Sequence, residues 1–372
     1  MKKYFAQKTK CLLAIVIALI TNISYSQNIT PKYGITLCGA EFGEDFLPGI
    51  LNLHYTYPTE TDIDYFVSKG IDLIQLPIKW ERVQRNLGGS LDKNELNSII
   101  NFIDKCAIRN INVTLVLQNF GDYTKNCIPY KVGESQVTAL HLRDFWMKLS
   151  SALINKSNIY SYSIMAEPAN MNNKIWFNTL QTVIDGIRLV DDKTILFIEG
   201  NNYSNAATWL AFNDNLKCLS DPSNNLVFNA HCYFDKDYSG RYKADYIADG
   251  ANEYIGVERT ESFVKWINEN KLKGFIGEFG VPKNDSRWLT TMSNFLDYLK
   301  TNNIGACYWA AGQWWKDYPL SIQPENYNVQ PQLQIFSKYF YKNKDINNKE
   351  ATLIWTRSLK NQRLVLNSVT NI

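Results

Sequence analysis

Eight apolar runs of strand length alternate with longer amphipathic stretches along most of this chain, and that alternation leaves few architectures open. The runs are Gly34–Gly39, Ile71–Leu76, Asn112–Gln118, Ile159–Met165, Thr194–Glu199, Leu226–His231, Gly274–Glu278 and Ile304–Trp309. They are apolar at consecutive positions, as strands buried on both faces of a parallel sheet require. Helical periodicity runs through Asn94–Arg109, Val137–Asn155, Trp176–Val190, Val257–Asn270 and Ser286–Thr301. Asp285 or Ser286 is placed to cap the last of these, and Gly70 and Gly305 read as helix exits. Eight β-α units predict an α/β fold, a single closed (β/α)8 TIM barrel. At 45% apolar composition the chain can fill the core of one. No linker or low-complexity segment divides it.

The two ends stand outside this pattern. Lys2, Lys3, Lys8 and Lys10 precede an unbroken apolar run from Cys11 to Ile20, and Ser24-Tyr25-Ser26 supplies small residues before Gln27. Residues 1–26 therefore read as a secretory signal. The run is too short for a membrane span, so a protein that is secreted or periplasmic, and free of the membrane after cleavage, is expected. Residues 27–340 form the barrel domain, and residues 341–372 lie beyond the eighth helix as an appendage of unassigned structure. Loss of the four N-terminal lysines turns the formal net charge of +3 into about −1, which removes any case for nucleic-acid binding.

Six of the seven cysteines follow the signal. Cys38 and Cys307 fall in the first and last strands, which adjoin in a closed barrel; two small buried hydrophobes are a commoner outcome there than a bridge. His54, His141 and His231 form no cluster with other ligands along the sequence, so neither metal nor cofactor is expected.

Two strands end on glutamate. Met165-Ala166-Glu167-Pro168 and Gly277-Glu278-Phe279-Gly280 lie about half a barrel apart. A paired carboxylate can protonate a leaving glycosidic oxygen while its partner attacks the sugar or activates water. An isolated Glu-Pro is often only a capping or salt-bridging carboxylate; a second strand-end glutamate in matching register argues for chemistry. The proton-donating role calls for a carboxyl that keeps its proton near neutral pH.

Further strings carry a resemblance. Gly39-Ala40-Glu41-Phe42-Gly43, Leu76-Pro77-Ile78-Lys79-Trp80-Glu81-Arg82, Gly200-Asn201-Asn202-Tyr203-Ser204, His231-Cys232-Tyr233, Ile276-Gly277-Glu278-Phe279-Gly280 and Tyr308-Trp309-Ala310-Ala311-Gly312 occur in order at strand ends. With them the chain, from about Lys32 to Phe340, resembles glycoside hydrolase family 5, the cellulase-type retaining β-glycanases. The resemblance implies Glu167 as acid/base, Glu278 as nucleophile, Tyr233 as a hydrogen-bond donor to the nucleophile, His231 as a site wall and Trp309 as a sugar platform. It implies a poly- or oligosaccharide substrate and a monomer. Asn119, Gln118, Gln75, Tyr123 and Trp315 complete the expected substrate-binding set. Trp80, Trp209 and Trp314 also sit near strand-end loops, where core packing is the commoner fate of an aromatic residue.

Three positions depart from the family. Gln75 stands where it places Arg, Gln118 where it places His, and Ala166 where it places Asn. Gln75 removes a positive charge near Glu278, which should raise the nucleophile's pKa. Ala166 removes a donor of a type worth roughly 2.7–4 kcal/mol in a transition state. Two readings follow: a retaining hydrolase whose cleavage subsite fits a different or substituted sugar, and a glycan-binding protein on the same scaffold with impaired catalysis.

Overall fold

The computed structural model describes residues 31–325 and 328–340. The signal read at 1–26 and the appendage at 341–372 lie outside the described residues.

Strands β1 (Tyr33–Leu37), β2 (Leu73–Ile78), β3 (Asn112–Leu117), β4 (Ile159–Ser163), β5 (Ile195–Glu199), β6 (Leu226–His231), β7 (Gly274–Phe279) and β8 (Gly305–Ala311) close a parallel barrel in sequence order, β1 pairing with both β2 and β8. Alternation sorts each strand's side chains. Leu73, Phe197, Val227, Phe275 and Cys307 share one small buried cluster. Ile74, Leu76 and Ile78 point the other way and join the main core with Trp146, Trp176 and Trp209.

Helices α1 (Glu60–Ser68), α2 (Lys93–Ala107), α3 (Ala139–Leu153), α4 (Asn173–Arg188), α5 (Trp209–Asn213), α6 (Ile255–Glu269), α7 (Ser286–Thr301) and α8 (Pro331–Phe336) follow the strands in turn. Side-chain caps fix several entries: Thr59 and Asp62 form a reciprocal box at α1, Asp92 caps α2, Asn172 caps α4 and Asp285 caps α7. The α1, α5 and α8 helices were not read from periodicity; α5 spans five residues and α8 six, too short to show a period. Gly70 does leave α1 with φ +93°. Gly305 is not a helix exit. It begins β8, where a Cβ would come within 2.5 Å of the Lys32 carbonyl oxygen. Asn303, with φ +58°, follows the end of α7 instead.

An additional hairpin follows β3, pairing Asp122–Lys125 with Ile128–Lys131 around Asn126 and Cys127, both at positive φ. All six cysteines of the described residues are free; Cys38 and Cys307 are buried.

Where strands end, register shifts aim side chains into the mouth. The shift between Ala230 and His231 sets His231 directly opposite Glu278 across the β6–β7 ladder.

Candidate active site

Glu278 is the penultimate residue of β7 and Glu167 lies in the turn after β4. Glu167 holds a left-handed backbone, φ +50°, a sparsely populated conformation for a residue with a side chain. Its N–H donates to Glu199 Oε2 at 2.9 Å, which secures that turn to the end of β5. One oxygen from each of Glu167 and Glu278 and one ring nitrogen of His231 lie within 4.8 Å of one another. This separation suits a double displacement, for which carboxyl groups about 5–5.5 Å apart are needed.

His231 is the basic member of this group. Its Nδ1 is 2.8 Å from Glu167 Oε1 and 3.6 Å from Glu278 Oε2, and its Nε2 is 3.3 Å from Glu199 Oε2. Burial alone would lower its pKa, but the surrounding Glu278, Glu199 and Glu167 carboxylates raise it to about 10. The three carboxylates thus favour the protonated form of the ring. The separation of these residues along the sequence hid a cluster that folding assembles.

Burial drives the Glu278 carboxyl up to about 8; His231 opposes that rise, and the nearby Glu167 and Glu199 add to it. Tyr233 donates its hydroxyl to Glu278 Oε2 at 2.8 Å. Burial keeps the Tyr233 hydroxyl protonated by raising its pKa well above the usual value. Arg259 donates to the carbonyls of Tyr233 and Asp235 and so anchors the loop that presents this hydroxyl.

Glycine has a steric reason beside Glu278. A Cβ on Gly277 would lie 2.4 Å from Asn229 Nδ2, and Asn229 in turn donates to Glu199 Oε1 at 3.0 Å.

Trp309 lies two residues before the end of β8 and meets Trp315 edge-on at 6.0 Å between ring centroids. Trp315 packs on Phe42 at 4.9 Å, and Phe42 stacks on Trp314 at 6.5 Å, so these rings form one aromatic row with Trp309. A cleft of about 600 Å³ is lined by Phe120, Glu167, Tyr203, His231, Tyr233 and Tyr238, among others. Tyr203 and Tyr238 are half exposed. Buried polar atoms without a hydrogen-bond partner include Gln118 Oε1, Glu41 Oε1 and Trp315 Nε1.

Three of the expected substrate contacts have hydrogen-bond partners within the protein. Asn119 accepts from the Trp80 N–H and donates to Glu81 Oε2 and the Asp122 carbonyl, so its amide is spent on fastening β2 to β3. Tyr123 is buried, donates to the Gln84 and Arg85 carbonyls and packs edge-on against Trp80. Gln75 sits inside the barrel and donates to the Gly277 carbonyl at 3.2 Å. It touches the strand that bears Glu278, without supplying a charge. Trp80 and Trp209 are fully buried core residues, whereas Trp314 is exposed.

Sequence reading missed Glu199. Its signature is the same as that of Glu167 and Glu278, a glutamate closing an apolar strand, followed here by Gly200. Tyr203 and Tyr238 lie in loops with no periodicity and so carry no sequence signal; Tyr203 belongs to a run of three residues at positive φ.

The cellulase (glycosyl hydrolase family 5) family model matches residues 40–314. The endo-β-1,4-glucanase B of Emericella nidulans is 32% identical over 296 residues, covering 78% of this chain and 86% of its own. A probable endo-β-1,4-glucanase B of Aspergillus oryzae is 33% identical, covering 79% and 85%. Among solved structures, the Pseudomonas stutzeri endoglucanase Cel5A superposes with a TM-score of 0.79 at 33% identity, covering 84% of this chain and 94% of its own.

Proposed function

We propose a reaction from the premise that the chain belongs to glycoside hydrolase family 5 and is a cellulase-like hydrolase of O-glycosyl bonds. The reading is an exported, monomeric retaining hydrolase that cleaves β-glycosidic bonds in a polysaccharide related to β-1,4-glucan. The observation that carries it is the approach of Glu167 and Glu278 carboxylate oxygens to within 4.8 Å.

Glu278, ionised, attacks the anomeric carbon, and Glu167 gives its proton to the departing oxygen. The glycosyl-enzyme ester is then opened by a water that Glu167 deprotonates, and Glu278 leaves as carboxylate. Tyr233 orients Glu278 through its 2.8 Å bond. Trp309 and Trp315 present ring faces to the sugar on the glycon side, and the cleft beside Tyr203 and Tyr238 receives the leaving chain. Export rests on the basic segment and apolar run of residues 1–26.

The cleavage subsite is altered by Gln75, Gln118 and Ala166, and the sugar it accepts differs from unsubstituted glucose in size or substitution. The unpartnered Gln118 Oε1 supports this, because a buried carbonyl oxygen is costly unless a ligand donates to it. The same three substitutions favour the second reading, a glycan-binding protein without turnover. A panel of glucans, mannans, xylans and bacterial exopolysaccharides, assayed beside Glu278→Ala, separates the two. Sugar release by the native protein alone supports the hydrolase. Equal background release with retained calorimetric binding establishes the binding protein.

A further inference from the structure

Glu199 is a buried acid with three hydrogen bonds and a histidine beside it, and the mechanism above does not use it. It closes β5 with its side chain fully buried. Oε1 accepts from Ser163 Oγ at 2.5 Å and from Asn229 Nδ2 at 3.0 Å. Oε2 accepts from the Glu167 N–H at 2.9 Å and lies 3.3 Å from His231 Nε2. An ionised carboxylate has about four acceptor sites. Here four groups from two strands, β4 and β6, and the β4 turn converge on one, and the Glu167 N–H and the Asn229 amide nitrogen can only donate.

We propose that Glu199 is the positioning residue of the catalytic pair: it holds His231 as an imidazolium between Glu167 and Glu278, and it pins the left-handed turn that carries Glu167. The proposal rests on the roles given to Glu167 and Glu278 above. Its physical basis is charge balance. Among the described residues, no lysine or arginine pairs with Glu167, Glu199 or Glu278. With Gln75 neutral, the His231 ring supplies the positive charge beside Glu278. An imidazolium needs an acceptor at each nitrogen, and Nδ1 already faces Glu167, with Glu278 slightly farther. Glu199 is the carboxylate beside the other nitrogen, at 3.3 Å. The groups facing the ring are thus Glu167 from the β4 turn, Glu199 from β5 and Glu278 from β7; Tyr233, on the ring's own segment, binds Glu278. Burial raises the Glu199 pKa, while His231 and the other donors oppose the rise. The deletion of Glu199's charge therefore moves the ring toward neutrality and loosens the Glu167 turn together.

The chain contains three histidines, so ring nitrogens can be followed by NMR in the full-length protein labelled at histidine, with His231→Asn providing the assignment. In the native protein both His231 nitrogens are expected to show imidazolium shifts through pH 8. Glu199→Gln, which keeps shape and removes charge, is expected to lower the pH of its titration at least tenfold in proton affinity. Ser163→Ala, which removes one bond and no charge, is expected to keep the native titration. On whichever polysaccharide the native protein cleaves, Glu199→Gln is expected to lower kcat at least tenfold with KM within threefold, and to shift the alkaline limb of the pH profile down. Glu199→Asp, which keeps the charge, is expected to restore part of kcat. A native His231 that is neutral at pH 7 overturns the proposal even if Glu199→Gln does not fold. So does a folded Glu199→Gln with an unchanged titration. Failure of the hydrolase reading has a different signature: no sugar release from any variant, with the histidine titrations as expected.

Discussion

His231 Nδ1 lies 2.8 Å from Glu167 Oε1 and 3.6 Å from Glu278 Oε2, so one ring addresses both carboxylates from the same side. Replacement of Glu278 by alanine removes the attacking group while leaving that ring with Glu167 and Glu199. Turnover is expected to fall by about 10⁴-fold or more, since a residue of a reacting unit costs most of that unit's effect. Initial-rate assays on a polysaccharide that the native protein cleaves check this. Residual turnover within tenfold of native would remove Glu278 from the reaction.

Protonation also links the site to stability. Burial pushes Glu278 up to about 8 from an ordinary 4.5, and the surrounding carboxylates push His231 up to about 10 from 6.5. Both bind a proton more tightly folded than unfolded. Their stabilising effect is complete below the ordinary values and is lost as pH rises through the folded ones. The melting temperature should therefore decline from pH 5 toward pH 9.5, and the decline above pH 7 should shrink in His231→Asn. Thermal melts across that range measure it.

Gln75→Arg places a cation beside the strand that carries Glu278. An opposite charge at about 4–6 Å lowers a carboxyl pKa by roughly 1–3. The acidic limb of kcat/KM should move to lower pH by that amount, with larger rates at pH 6. The larger side chain costs about 1–3 kcal/mol of stability in so packed an interior. An acidic limb that stays in place would show that Arg at this position does not reach Glu278.

Ala166→Asn tests what the cleavage subsite accepts. Ala166 is fully buried, and its N–H and carbonyl are bonded to Leu117 and Phe120. A side-chain donor gained there should raise the rate on unsubstituted glucan by about 10²–10³-fold. On a polysaccharide that the native protein prefers, the rate should fall as the added atoms occupy its space. Rates unchanged on both would remove Ala166 from the subsite.

Asn119→Ala separates architecture from recognition. The substitution strips partners from the Trp80 N–H and from Glu81, at about 1–3 kcal/mol for a buried group left unsatisfied. Denaturant midpoints should fall while KM stays near native. A raised KM at unchanged stability would return Asn119 to the substrate.

All eight barrel strands were legible because runs apolar on both faces have few alternatives, and no observed bound differs by more than two residues. Glu167 and Glu278 were legible because each interrupts such a run at its end. Asn119 and Tyr123 show the limit of the same signal: a polar or aromatic residue at a strand end points to the mouth only if no neighbour claims it. Trp80, Glu81 and the Gln84 turn claim both of these. The β6 register shift that brings His231 opposite Glu278 has no local signature, since it arises from pairing between strands distant in sequence.

The most direct test of the double displacement is the anomeric configuration of the first product. A proton NMR time course on a cleaved oligosaccharide, recorded faster than mutarotation, should show the β anomer appearing first, with the α anomer following by equilibration. An α anomer formed first would mean that water, not Glu278, attacks the sugar, and the account would be wrong at its centre.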